Sequence, residues 1–307
     1  MASSNEIPAA AIQVRDGAWS RSDSGKVKSQ RGGWGFLILP AMVALLVVFW
    51  IPTFQLATNS FHRNAGLAQV GDAWTLENYV KFLSDPFYYG ILLETFGLGF
   101  VVVCICIVIA YPTAYFLART KTRWRGLLVF LVISPLLISV VIRNLGWLPI
   151  LGSSGLVNWL LMSAGLLSSP VQLINNYTGV VIGLVHALAP FMIISLMTVI
   201  QRIEPELEEA SINLGASPFE TFWRVVFPMS RPGLLAGVLL VFTVVLSAFT
   251  TPAMMGGNRV LVMSTYISQQ IRTALNYPFG AMAAVVLMLV TGGLTVVALR
   301  YQGEESK

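Results

Sequence analysis

Few residues in this chain could do chemistry, and their types and spacing limit what that chemistry is. Cys104 and Cys106 stand two apart in an apolar run. On a helix they point in different directions, so they neither bridge each other nor form a metal site alone. His62 and His186 lie in separate regions, without the clustered His, Asp or Cys that an integral-membrane enzyme would need at a membrane face. His186, beside Pro190, reads as a hydrogen-bonded packing residue, because no second metal-type ligand is near it in sequence. The chain has no GxxxxGK(S/T) phosphate loop, no HExxH and no GxSxG. If ATP energises it, another subunit must hydrolyse the nucleotide.

Two ionised residues interrupt apolar runs, Glu94 and Arg143. Charges inside a span are costly and are functional candidates for that reason. One reading places both near an interface, snorkelling to water; the other has them face a shared central cavity, as a pair.

The longest polar, charge-rich insertion between apolar segments is Glu204–Pro228. Pro205 suits a first helical position, and Glu206, Glu208 and Glu209 follow where the positive end of a helix dipole favours acids. Leu207, Ala210, Ser211 and Leu214 share one face, small at its centre, and Gly215 supplies a left-handed stop, so this helix is about three turns long. Ser217 with Glu220 predicts a capping box, with Pro218 again first in the helix. Phe219, Phe222, Trp223 and Val226 give this second helix an apolar side, and Pro228 and Pro232 bracket its exit.

These residues sit among elements that must cross a bilayer. Of 307 residues, 56% are hydrophobic and 11% charged, and the mean hydropathy is +0.74; neither a soluble nor a disordered chain has that composition. The expected fold class is an all-α polytopic membrane protein with six transmembrane helices, over about Gly35–Ala57, Ile91–Leu117, Leu127–Ile150 (interrupted by Pro135), Gly179–Ile200, Gly233–Met254 and Phe279–Leu299. Residues 1–33 read as a flexible cytoplasmic tail, 34–300 as the membrane domain with its polar loop at 201–232, and 301–307 as a C-terminal cytoplasmic tail. Between the first two spans, WTLENYVKFL has the pattern of a short amphipathic helix lying on the outer membrane surface.

The net charge of +5 and pI near 9.4 are explained by topology, and no nucleic-acid module is present. On this layout 14 of the 19 basic residues fall on one side, including Arg119, Lys121, Arg123 and Arg125 in a loop without a single acid. The positive-inside rule therefore places that loop, both termini and the 201–232 loop in the cytoplasm.

Glu209, Ala210 and Ser211, then Gly215, Val225, Phe227 and Pro228, reproduce the spacing EAA-x3-G-x9-I-x-L-P, with Ser for the second Ala, Val for Ile and Phe for Leu. This resembles the EAA loop of the membrane subunits of binding-protein-dependent ABC importers. The likeness extends through IRNLGWLPILGSSGLVNWL from Ile142, HALAPF from His186, TPAMMGG from Thr251 and YPFGA from Tyr277. Together these look like spermidine/putrescine-type permeases over roughly residues 35–300; relatives with the same frame carry opines, aminophosphonates or other small solutes.

The resemblance implies a type I importer permease fold. It also implies a coupling helix, with Glu206, Glu209, Ala210, Ser211, Leu214, Gly215 and Ala216 docking on an ATPase subunit. The charges within the spans, Glu94 and Arg143, are with Trp147 the candidates for a substrate path, although Glu94 stands where such permeases often have a polar uncharged residue. The implied partners are a second related permease, two ATP-binding cassette subunits that use ATP and Mg, a periplasmic solute-binding protein and membrane lipid. The chain itself would bind no cofactor and catalyse no reaction, working in the bacterial inner membrane. The rival readings are weaker: an ion-coupled transporter would show several intramembrane carboxylates and repeats, and only Glu94 is present.

Overall fold

The computed structural model describes residues 34–66 and 69–305, so the expected tail over residues 1–33 and the last two residues lie outside the described residues. By backbone contacts the chain divides into two units, residues 1–52 and 53–307. Helix α1 (Trp34–Asn59) runs through that boundary, and Phe49 meets Trp50 edge to face within its first part. Among the described residues six segments are long and apolar enough to cross a membrane: Leu39–Asn59, Pro86–Arg119, Val140–Ser163, Tyr177–Ile200, Pro218–Ser247 and Tyr277–Arg300.

In the second unit a two-stranded antiparallel hairpin, β1 (His62–Gly66) and β2 (Gln69–Trp74), follows α1. The sequence reading has only a polar loop there. The amphipathic helix expected next is α2 (Glu77–Ser84), which buries Phe82 and leaves Val80 and Leu83 exposed. Asn78 holds it to the preceding chain by donating to the carbonyls of Ser60 (3.1 Å) and His62 (2.9 Å).

The core is built by α3 (Pro86–Arg119), α7 (Tyr177–Ile200) and α10 (Phe227–Ser247). Local caps start two of them: the Asp85 carboxylate accepts from the Phe87 amide and the Asn176 side chain from the Gly179 amide, each at 2.9 Å. Leu98, Val102, Cys106, Ala110 and Ala114 of α3 meet Leu184, Met192 and Leu196 of α7 in a buried seam. Apolar burial gives little drive between helices in lipid, so close approach by small residues matters. At Gly233 of α10 an added Cβ would stand 2.7 Å from Val199 Cγ2 and 3.0 Å from the Ser195 carbonyl. The Ser195 hydroxyl donates to the Gly233 carbonyl (2.7 Å) across the same contact. Cys106 is buried and Cys104 exposed, and neither is bridged.

Two expected spans are drawn differently by the structure. The run read as one span over Leu127–Ile150 is broken: α4 (Arg125–Leu137) stops at Ile138, Ser139 is extended at ψ 136°, and α5 (Val140–Leu151) begins. The crossing-length segment instead joins α5 to α6 (Leu156–Ser163). Arg143 explains how the break is tolerated in lipid, because its Nη1 donates to the carbonyl of Pro135 (2.9 Å) in the last turn of α4.

The fifth span, read from Gly233 to Met254, begins at Pro218 and ends at Ser247. Short α9 (Pro218–Thr221) flows through a widened turn, Phe222–Val226, directly into α10. Pro228 has no N–H to donate, and the Phe227 amide reaches five residues back to Phe222, so the turn opens around the proline instead of ending the helix. Beyond Ser247 the chain turns at extended Ala248 into α11 (Thr250–Met255) and, after a short connection, α12 (Met263–Arg272). The last helix, α13, spans Tyr277–Glu305.

Candidate coupling site and transport path

The polar loop folds as its local signals require. Helix α8 (Pro205–Asn213) has proline in its first position and Glu206 and Glu208 in its first turn. It ends in a Schellman motif: the Gly215 amide donates to the Ile212 carbonyl (2.9 Å) and the Ala216 amide to Ser211 (3.2 Å), with Gly215 at φ +95°. The capping box of α9 is complete, with the Ser217 amide on the Glu220 carboxylate (2.9 Å) and the Glu220 amide on the Ser217 hydroxyl (3.3 Å). The Ser211 and Thr221 hydroxyls, 3.0 Å apart, tie the two short helices together.

Between α8 and α9 lies a recess of about 490 Å³. Ala210, Ser211, Leu214, Gly215 and Ala216 line it with Leu207 and Val225; Leu214, 90% accessible, projects from its edge. Glu206 and Glu209 are exposed on α8 and do not line the recess. The pattern is a small-residue floor with Leu207, Leu214 and Val225 beside it and the Glu220–Arg224 ion pair (3.6 Å) on its wall, which suits close docking of another protein.

What holds this platform was not visible as a site in the sequence. Glu208, read there only as a first-turn acid, is an anchor. Its carboxylate forms an ion pair with Arg119 at the end of α3 and accepts from the Tyr115 hydroxyl (2.6 Å). Arg119 also donates to the Ile203 carbonyl (3.0 Å), just before α8. The two charged side chains are only 19% and 12% accessible, so this pair is shielded from the screening that weakens surface bridges. One turn earlier on α3, buried Tyr111 hydrogen bonds to Ser230 and packs on Phe222 and Phe227, gripping the widened turn and the start of α10. Arg125 closes the end of α3 by donating to the Leu117 carbonyl (3.0 Å). Both halves of the loop are thus fixed to one helix.

The other candidates are dispersed. Glu94 is exposed on α3 and forms no ion pair with Arg143 among the described residues, so the pairing considered from sequence is not made. Arg143 serves the Pro135 carbonyl instead. Trp147 donates from Nε1 to His186 Nδ1 (3.2 Å), their rings 5.4 Å apart and nearly perpendicular. That bond fixes the proton of neutral His186 on Nε2. Both rings border a cavity of about 580 Å³ that is otherwise apolar, walled by α3, α4 and α7 and by Pro135 and Pro190. A second cavity of about 700 Å³ lies where Phe87 of α3, Phe249 and α11 meet the polar stripe of α12, Thr265, Ser268, Gln269 and Arg272. No three His, Cys, Asp or Glu gather in a metal-binding group among the described residues.

Among the described residues, six segments of crossing length and a short helical platform anchored to the end of α3 define a polytopic helical membrane protein. Residues 105–302 match the family described as binding-protein-dependent transport system inner membrane component, and the chain belongs to that family. It is 33% identical over 264 residues to the spermidine/putrescine transport system permease protein PotB of Escherichia coli (strain K12), covering 86% of this chain and 96% of that protein. Against PotB of Salmonella typhimurium (strain SL1344) it is 32% identical over 265 residues, covering 86% and 92%. A solved structure of a bacterial alginate ABC transporter, in complex with alginate pentasaccharide-bound periplasmic protein, contains a chain that superposes with a TM-score of 0.73 at 18% identity. The match covers 86% of this chain and 92% of that one, and shows the shared importer permease fold.

Proposed function

We propose that this chain is the non-catalytic membrane subunit of an ATP-driven importer that moves a small organic solute, polyamine-like in class, into the cytoplasm. The observation that carries the reading is the α8–α9 platform, an exposed recess floored by small residues and anchored to α3 through Glu208. Its position supports docking of an ATPase subunit on Ala210, Ser211, Leu214, Gly215 and Ala216, with Glu206 and Glu209 at the margin. ATP and Mg then belong to that partner. The 14 of 19 basic residues that fall on the platform's side of the span layout, Arg119, Lys121, Arg123 and Arg125 among them, support a cytoplasmic location for it and for both termini. A second, related permease completes the path, to which Glu94, Arg143 and Trp147 contribute, and a periplasmic binding protein delivers the solute.

The polyamine class rests on the names of the PotB relatives. A carboxylate- or phosphonate-bearing solute, an opine or aminophosphonate, is the second reading. It is favoured by Arg272, which borders the larger polar cavity with no acidic residue around it. The test is the ATPase rate of the complex purified through this chain, reconstituted in lipid with its binding protein, across polyamines, opines, amino acids and aminophosphonates. Selective stimulation establishes the importer and names the solute class. Absence of a co-purifying ATPase, with uptake that follows an ion gradient, would replace it with a secondary transporter.

A further inference from the structure

Helix α3 is held at both ends by specific buried bonds, and each end belongs to a different working part. At the platform end Arg119 and Tyr115 grip Glu208 of α8, and Tyr111 grips Ser230 of α10. At the far end Thr95, 1% accessible, donates from its hydroxyl to the Ile91 carbonyl (2.7 Å) and accepts the backbone amide of Met263 (2.9 Å). Met263 is the first residue of α12, and its amide has no partner inside α12, being one of the orphan donors of a helix start. The polar stripe of that same helix lines the cavity of about 700 Å³. Thr95 and Arg119 are separated by about 36 Å along α3 at the rise of an α-helix.

We propose that α3 is the transmission rod of this permease, and that Glu208 and Thr95 are the positioning residues at its two ends. Displacement of the platform is passed by Glu208 to α3 as a body and delivered through Thr95 to α12, which opens or closes the far cavity. The packing favours a rigid-body response: α3 lies in the buried seam along Leu98, Val102, Cys106, Ala110 and Ala114, where a close-packed interface shifts between discrete arrangements and does not deform smoothly. Tyr111 also bonds α3 to Ser230 at the start of α10, into which α9 runs directly, so α3 is tied to both halves of the loop. A coupling route needs a demonstrated change that both ends bias, and the cavity stripe offers a place to observe one.

This inference rests on the importer reading, and the experiment separates the two. In the assembled complex, with Cys104→Ala and Cys106→Ala as background, Ser268→Cys reports the cavity by its rate of modification with a charged maleimide. The rate is read without nucleotide and with ATP plus vanadate. The expected result is a nucleotide-dependent difference in labelling that Glu208→Gln abolishes and that Thr95→Val abolishes equally from the opposite end. The double variant should be no worse than either single change, because both interrupt one line. Exchanging the charges, with Glu208→Arg and Arg119→Glu together, should restore part of the difference. Co-purification of the ATPase with each variant shows that it folds and docks. If no ATPase co-purifies with the parent complex, the importer reading itself fails. If one does, and labelling at Ser268→Cys is indifferent to nucleotide or either single variant keeps the full difference, α3 is not the rod. Independent, multiplying losses in the double variant also overturn the proposal.

Discussion

Gly215 allows the docking platform to be tested through backbone geometry alone. Its φ of +95° lies in the left-handed region, and a Cβ added there would meet nothing within 4 Å. Gly215→Ala therefore introduces strain without a clash, at about 1–2 kcal/mol for an L-residue held in that region. The exposed loop relaxes this strain when free by leaving the Schellman turn, and a docked partner must restore it. The apparent Kd for the ATPase subunit should accordingly rise by about 5- to 30-fold, the competent fraction of the loop falling by that factor.

Gly215→Asn should cost less than alanine although its side chain is larger, because Asn tolerates the left-handed region. Gly215→Pro should be the worst of the three, since proline fixes φ near −65° and removes the amide that bonds to Ile212. The assay is titration of purified ATPase subunit onto permease complex stripped of it, with thermal unfolding of the spans as control. An asparagine variant that binds no better than the alanine variant would refute the backbone argument and point to side-chain exclusion at the interface.

Three other outcomes are expected. Gly233→Ala should destabilise the solubilised protein by about 1–3 kcal/mol through overpacking, and by more than Gly237→Ala. The first Cβ meets stiff, branched Val199, whereas the second meets the flexible Met192 thioether at 2.5 Å; denaturation midpoints compare them. Arg143→Gln should cost roughly 1–2 kcal/mol by weakening the cap on the Pro135 carbonyl, seen as easier proteolysis near the α4–α5 break, and should lower uptake. Glu94→Gln should leave thermal stability unchanged, since the carboxylate makes no hydrogen bond or ion pair among the described residues, and reduce uptake if it serves the path. Normal uptake by both variants would remove these residues from it.

Features specified within a few residues were legible in the sequence. Pro205, Gly215 and the Ser217–Glu220 box act over one turn, and each sets its helix end as expected. Hydropathy likewise locates the spans, because lipid demands long apolar segments whatever their partners. The break at Ile138 and Ser139 was hidden by the same logic: the run stays apolar through it, and the residue that stabilises it, Arg143, acts on a carbonyl eight positions back. Pro228 misled in the other direction, since a widened turn absorbs it. The anchor of the platform was illegible for a simpler reason. Glu208 is 89 residues from Arg119 and 93 from Tyr115, and nothing local in an acidic first turn announces a partner that far away.

The widened turn at Phe222–Val226 acts as an angular key between two surfaces that never touch. Each residue added to a helix rotates everything after it by about 100°. Upstream of the turn stand Ser217 and Thr221, which set how the recess is presented; downstream stand Gly233 and Gly237, which must face α7. Closing the turn to an ordinary helix with every residue retained would swing that glycine face by about 100° away from Val199 and Met192, leaving each surface intact but misaligned, whereas removing one residue as the turn closes would restore the alignment. The proline at 228 keeps the key in place, because closing the turn would drive its ring against the backbone of the preceding turn. The aim of the platform is thus set by the screw of the span beneath it.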